Sequence, residues 1–387
     1  MSTIIRTRSP FFIRTPQVTG STNIANLSHF QINISIFEGV SGTVSMCSDL
    51  AASFTLNKKP LPNETSVSFE ISEIVNDHLI QTFDGSYNSS RLTQSAWVNV
   101  VTSARKSDGT IIGSSTSTTY LAQEGFNKFK EGANYTTEPI LMISNNYFEY
   151  HKGSNIRLPL NKERVSGIVY KLNGSSVGSQ SFTDSGHSNQ KIAYGNVTTT
   201  TQQYDEVVVT FDSSNTISYT LKEVQECKYP VHKITFLNRW GALQDLFFHK
   251  KSVETLETRN EKFNRSIFKA RNVSKSLEEP EEPGGDPICV ETVTFNSYST
   301  TAHAKKVHNA NGTESITLNT GFVDERMNVY FEELMVSEHM WLTDDQNVIY
   351  PVCITDSNFT RKTGLNDRMI NYTMNFEKAF DFVNNIR

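Results

Sequence analysis

Cysteine is scarce, with four residues in a chain of 387: Cys47, Cys227, Cys289 and Cys353. No two stand in a CxxC or Cys/His spacing, which excludes the recognisable redox and zinc patterns. Long hydrophobic runs are missing. No stretch reaches 18 apolar residues, so no membrane span is expected. The N-terminal MSTIIRTRSPFF lacks the continuous apolar segment of a signal peptide. An excess of positive charge is missing too: the formal net charge is −5 and the pI about 6.0. A protein that coats nucleic acid is basic, so nucleic acid is not expected as a main partner. No GxxxxGK(S/T), GxSxG, HExxH or EF-hand loop occurs. The expectation is therefore no catalytic residue, no cofactor and no bound metal.

Aromatic and small polar residues are plentiful: 24 Phe and 14 Tyr accompany many Ser, Thr and Asn. Such usage suits antiparallel sheets with one wet face. Hydrophobic residues make up 37% and charged residues 20%, enough apolar mass for a core. The length fits two to four domains of ordinary size.

The stretch Tyr229 to Lys251, YPVHKITFLNRWGALQDLFFHKK, organises the reading. Val231, Lys233, Thr235 and Leu237 alternate with His232, Ile234 and Phe236, the period of a strand. Asn238, Arg239, Trp240 and Gly241 interrupt it, and Gly241 permits the positive φ of a tight turn. Leu243 to His249 returns as a second strand. Phe236, Trp240 and Phe247 are expected to anchor this hairpin. Two readings stay open at its tip: core filling, or Arg239 and Trp240 touching a partner.

The pattern FLNRWGALQDLFF resembles structural proteins of tailed bacteriophages, especially crAss-like and other phages that infect Bacteroidetes. Phe69 to Tyr87 (FEISEIVNDHL, then FDGSY) and Gly321 to the C-terminus share the resemblance, which covers the ends of the chain better than its middle. It implies a virion component of the tail, baseplate or collar, assembled in the host bacterial cytoplasm, where cysteines stay as thiols. The implied partners are copies of itself in a ring and other tail or connector proteins of the virion.

In chain order, Phe30, Ile32, Ile34 and Ile36 mark one face of a strand, and Ser72 is placed to cap a short helix. Ala96 to Val101 and Ile111 to Tyr120 are strands around Asp108-Gly109. Residues 1–135 read as one β-sandwich. Asn173-Gly174 signals a hairpin within a middle β domain, 136–228, and GNVTTTTQQ reads there as an exposed loop. A third β-rich domain, 229–387, carries strands around an Asn311-Gly312 turn, a helix from Glu325 to about Ser337 capped by Asp324, and a closing strand through Ile370, Tyr372, Met374 and Phe376. The fold class is mainly β: serial immunoglobulin- or fibronectin-like β-sandwich domains with a few short helices.

Inside the third domain, residues 250–287 look like an insertion. Eight basic side chains precede SLEEPEEPGGDP, and apolar residues are sparse. Either a long surface loop or an arm docking on a neighbouring subunit fits this composition. In the arm reading Phe263, Ile267 and Phe268 are the apolar anchors, and with Arg239 and Trp240 they form the candidate assembly contacts. A carbohydrate- or receptor-binding module, with aromatics stacking on sugar rings, is the alternative function. His232 and His249 flank the hairpin, and Asp344-Asp345 lies in a predicted turn; neither pair brings enough ligands for a metal ion.

Overall fold

The computed structural model describes residues 4–38, 50–62, 64–87, 95–183, 192–199, 202–225, 228–278, 283, 286–364 and 370–383. The chain is mainly β, with several sheets and few helices. It forms two compact units: 1–253 with 316–379, and 254–315 with 380–387.

The first unit begins with β1 (Ile4–Arg6), β2 (Phe12–Arg14), α1 (Ser21–Ala25), β3 (His29–Glu38) and β4 (Leu50–Lys58). There follow β5 (Ser68–Glu70), α2 (Ser72–Asn76), β6 (Ser95–Arg105) and β7 (Ile111–Gln123). One sheet has the order β1-β7-β6-β3-β4, and β2 pairs with β5 separately. Alternation sets the register of β3: Phe30, Ile32, Ile34 and Ile36 are all fully buried, so a one-residue slip would expose the whole row. They pack with Phe11, Phe69, Ile71, Val75, Val98 and Val100. Ser72 does not cap α2 in the expected way. Its hydroxyl and its backbone N–H both donate to the Glu70 carboxylate, which takes over the capping role.

The middle contributes β8 (Tyr147–His151), β9 (Asn155–Asn161), β10 (Val165–Leu172), β11 (Ser175–Ser181), β12 (Ile192–Thr198), β13 (Glu206–Phe211) and β14 (Asn215–Val224). Their sheet order is β11-β10-β13-β14-β8, with β9 and β12 as a second pair. Asn173 and Gly174 both take positive φ, as a two-residue hairpin turn requires. The polar GNVTTTTQQ is not simply a loop: Gly195 to Thr198 belong to β12 and Thr199 is buried. Backbone pairing with β9 supplies the stability its composition lacks.

Next come β15 (His232–Leu237), β16 (Leu243–Phe248), β17 (Val253–Asn264), β18 (Phe268–Glu278), β19 (Ile288–Tyr298) and β20 (Lys305–Asn319). α3 (Asn328–Met335), β21 (Met340–Thr343), β22 (Ile349–Ile354) and β23 (Thr373–Lys378) complete the chain. The last sheet runs β16-β15-β21-β22-β23-β20-β17, and its β20–β17 end carries most of its residues in the second unit. Asp324 accepts from the Arg326 N–H as expected, but the first turn is a 3-10 turn, Glu325–Met327, before α3 begins. One core joins the middle strands to the hairpin, α3 and the closing strand; Tyr150, Phe236, Phe248, Tyr330 and Phe376 are among its fully buried members.

The second unit corrects two expectations. Residues 250–278 are not an irregular arm: they contain β17 and β18. β18 pairs antiparallel with β19 from Phe268 opposite Tyr298 to Glu278 opposite Ile288. The acidic, Pro-rich run lies at the connection of these strands, and residues 279–282, 284 and 285 fall outside the described residues. Asn311-Gly312 makes no turn either, since it lies inside β20. Both segments carry β-branched or alternating residues, and extended pairing outweighs the local turn signal.

Candidate functional site

The hairpin β15–β16 sorts its side chains onto two faces. Ile234 lies opposite Leu246 and His232 opposite Phe248, and this face enters the core. Lys233 opposite Phe247 and Thr235 opposite Asp245 make the other face, from which Lys233, Asp245 and Phe247 line an open cleft of about 470 Å³. The expected anchor Phe247 is therefore half-buried on the cleft side, while Phe248 takes the core position. Phe236 is fully buried as expected.

Buried Asp245 sits at the cleft floor. Its carboxylate accepts the Tyr87 hydroxyl at 2.6 and 2.7 Å and the Thr235 hydroxyl at 2.6 Å. Lys233 Nζ donates to the Tyr87 oxygen at 3.0 Å and lies 3.9 Å from Asp245. Burial, then the Asp245 charge, pushes the Tyr87 hydroxyl well above its ordinary pKa, so it stays protonated and acts as a fixed donor. Two cations face its ring: Arg157 Cζ at 5.3 Å and Lys233 Nζ at 5.4 Å from the centroid. Arg157 makes no ion pair among the described residues, and its Nη1 is buried without an acceptor there. One wall carries Phe247, with the His249 ring stacked at 6.3 Å and His151 at 6.4 Å. His249 thus meets His151, at 5.4 Å, rather than His232 across the hairpin.

The opposite rim is the β21–β22 turn. Asp344 accepts the N–H groups of Gln346 and Val348, the turn role expected of it. Asp345 and Asn347 stand exposed beside it. The β8–β9 turn closes a third side, held by Gly153 N–H donating to the Thr199 hydroxyl. Among the described residues no group of three His, Cys, Asp or Glu is placed to hold a metal ion. The cleft contains hydrogen-bond donors, acceptors and an aromatic wall.

At the hairpin tip, Arg239 is 6% exposed and Trp240 half-buried. Arg239 Nη2 donates to both Glu131 oxygens at 2.8 and 2.6 Å. Two guanidinium groups lie over the Trp240 ring, Arg6 at 4.6 Å and Arg239 at 4.3 Å. Arg6 is buried and pairs with Glu138 at 2.9 Å. Burial pushes the Glu138 carboxyl up to about 7 against the pull of Arg6. The tip docks on the segment after β7, where Phe126 N–H donates to the Arg239 carbonyl at 2.9 Å. Gly241 has φ +76°, and a Cβ there would collide with the Glu124 carbonyl oxygen.

In the second unit, Phe263 is 45% exposed at the end of β17, edge-on to the His308 ring at 6.2 Å. Ile267 is half-buried in the connection to β18, and Phe268 opens β18. Arg239 and Trp240 thus belong to the interior of one unit, while Phe263, Ile267 and Phe268 cluster along the chain of the other.

Tyr87, Arg157, Lys233, Asp245 and Phe247 carry no local motif, because the cleft gathers them from distant segments. The readable signal was Lys233 and Asp245, the acid and base set into the two strands of the hairpin. The chain matches no protein-family model and no curated protein.

Proposed function

We propose that this chain is a structural component of a tailed-phage virion, in the tail, baseplate or collar, with no catalytic role. It assembles as a ring or sleeve of identical copies in the host cytoplasm and contacts neighbouring tail or connector proteins. The observation that carries this reading is β17: all 12 of its residues are exposed, on both faces of the strand. β17 stands at the edge of its sheet, next to β20, and an edge strand leaves a row of backbone N–H and C=O groups that a second chain can pair. Leu256 and Phe263 on β17, with Val307 on β20, offer that chain apolar anchors. In a closed ring each copy presents the same acceptor to its neighbour. We assign the first unit to immunoglobulin- or fibronectin-like sandwich architecture; the β1-β7-β6-β3-β4 sheet backed by the β2–β5 pair and α2 supports this.

Electron microscopy of the concentrated purified protein is the test. Closed rings or sleeves are the expected result. Monomers at every concentration, with or without other virion proteins, would overturn the reading. The cleft favours a second reading, a carbohydrate- or receptor-binding module of the phage tail.

A further inference from the structure

We propose that the cleft beside the hairpin binds a saccharide bearing a single carboxylate, a uronic-acid-type sugar, between the Arg157 guanidinium and the Phe247 ring. This rests on the cleft alone and holds whether or not the chain forms rings. Charge comes first. Lys233 already has Asp245 as a counter-charge at 3.9 Å. Arg157 has none among the described residues, although one of its nitrogens is cut off from water. A partly desolvated cation without an anion attracts one, and a guanidinium matches a carboxylate in shape.

Phe247 supplies the second feature. It is half-buried, is braced by His249 and His151, and lies on the cleft wall, where a pyranose ring can lay its C–H face. The rim supplies the third. Asp345 and Asn347 are exposed acceptors suited to sugar hydroxyls. The Asp344 and Asp345 carboxylates of this rim repel ligands with several negative charges, such as a polyphosphate or nucleic acid. A cleft of about 470 Å³ has room for one or two sugar rings.

The test is titration of the full-length protein with methyl β-glucuronide, methyl β-glucoside and glucose 6-phosphate, followed by saturation-transfer NMR. The glucuronide is expected to bind, with the glucoside and the phosphate each at least roughly tenfold weaker. Arg157→Gln should bring glucuronide down to the level of the glucoside. Phe247→Ala should weaken both neutral and acidic sugars. Near-ultraviolet circular dichroism identifies a variant that has lost its fold; Arg157→Lys, which keeps the charge but loses the fork, then replaces Arg157→Gln, with a partial loss of glucuronide binding expected. No binding of the glucuronide at about 10 mM, or equal binding of glucuronide and glucoside, would overturn the proposal. So would glucuronide binding that both Arg157 and Phe247 variants leave unchanged.

Discussion

The two units use the same backbone arrangement in opposite ways. In the first, strands alternate buried and exposed residues, and even charged groups are inside: Arg6, Glu138, Arg239 and Glu333 are all nearly inaccessible. Each has a partner, Arg6 with Glu138, Arg239 with Glu131, and Glu333 with the Ser144 hydroxyl. In the second, every residue of β17 is exposed along its whole length. A strand that hides one face is committed by burial of apolar area. A strand that hides neither is committed by backbone pairing, and its side chains remain for something else. The first unit therefore carries its stability within itself, and the second presents surface.

The sharpest way to break the first unit is Gly241→Ala. It combines an unfavourable left-handed conformation with a collision against the Glu124 carbonyl. The loss should exceed about 4 kcal/mol, seen as failure to accumulate soluble protein or as a collapsed thermal transition. Trp240→Ala comes next. It removes the ring that Arg6 and Arg239 both contact and should cost about 3 kcal/mol by denaturant titration. An unchanged midpoint would place the weight of the tip on the Arg239–Glu131 pair instead.

A smaller effect concerns pH. Burial raises the Glu333 carboxyl from 4.5 to about 7. An acid whose folded pKa is raised contributes stability fully below about 4.5, and that contribution is lost as pH rises through 7. The melting temperature should fall between pH 5 and 8, and Glu333→Gln should remove a few degrees of that fall. If the variant keeps the whole slope, Glu138 or another group carries it. Smallest of all is the expected effect of Phe263→Ser on the melting of the first unit: none within about 1 °C, since the ring lies in the other unit.

Much of the first unit was legible because burial writes itself as period two. Phe30 to Ile36, the hairpin and the closing strand all follow from alternation. Asn173-Gly174 and Gly241 follow from the φ values only such residues take easily. The second unit was less legible. Charge-rich β17 reads as a loop or arm when only hydrophobic pattern is followed, because its pairing is made by backbone groups that every sequence shares. Asn311-Gly312 has the composition of a turn, but the β20 strand runs through it. At the cleft, Lys233 and Asp245 could be placed on one hairpin face. Tyr87 and Arg157 could not, because only the folded chain brings them there. Phe247 and Phe248 differ by one position, and the choice of core face depended on which neighbour met α3 and β23.

The most direct measurement is the solution mass of the full chain beside a variant in which residues 254–315 are replaced by a short Gly/Ser linker, by light scattering over a concentration series. The full chain should form a closed oligomer of fixed size, and the variant a monomer with the melting temperature of the first unit retained. Oligomers of the same size from both proteins would contradict the claim that the exposed strands of the second unit build the assembly.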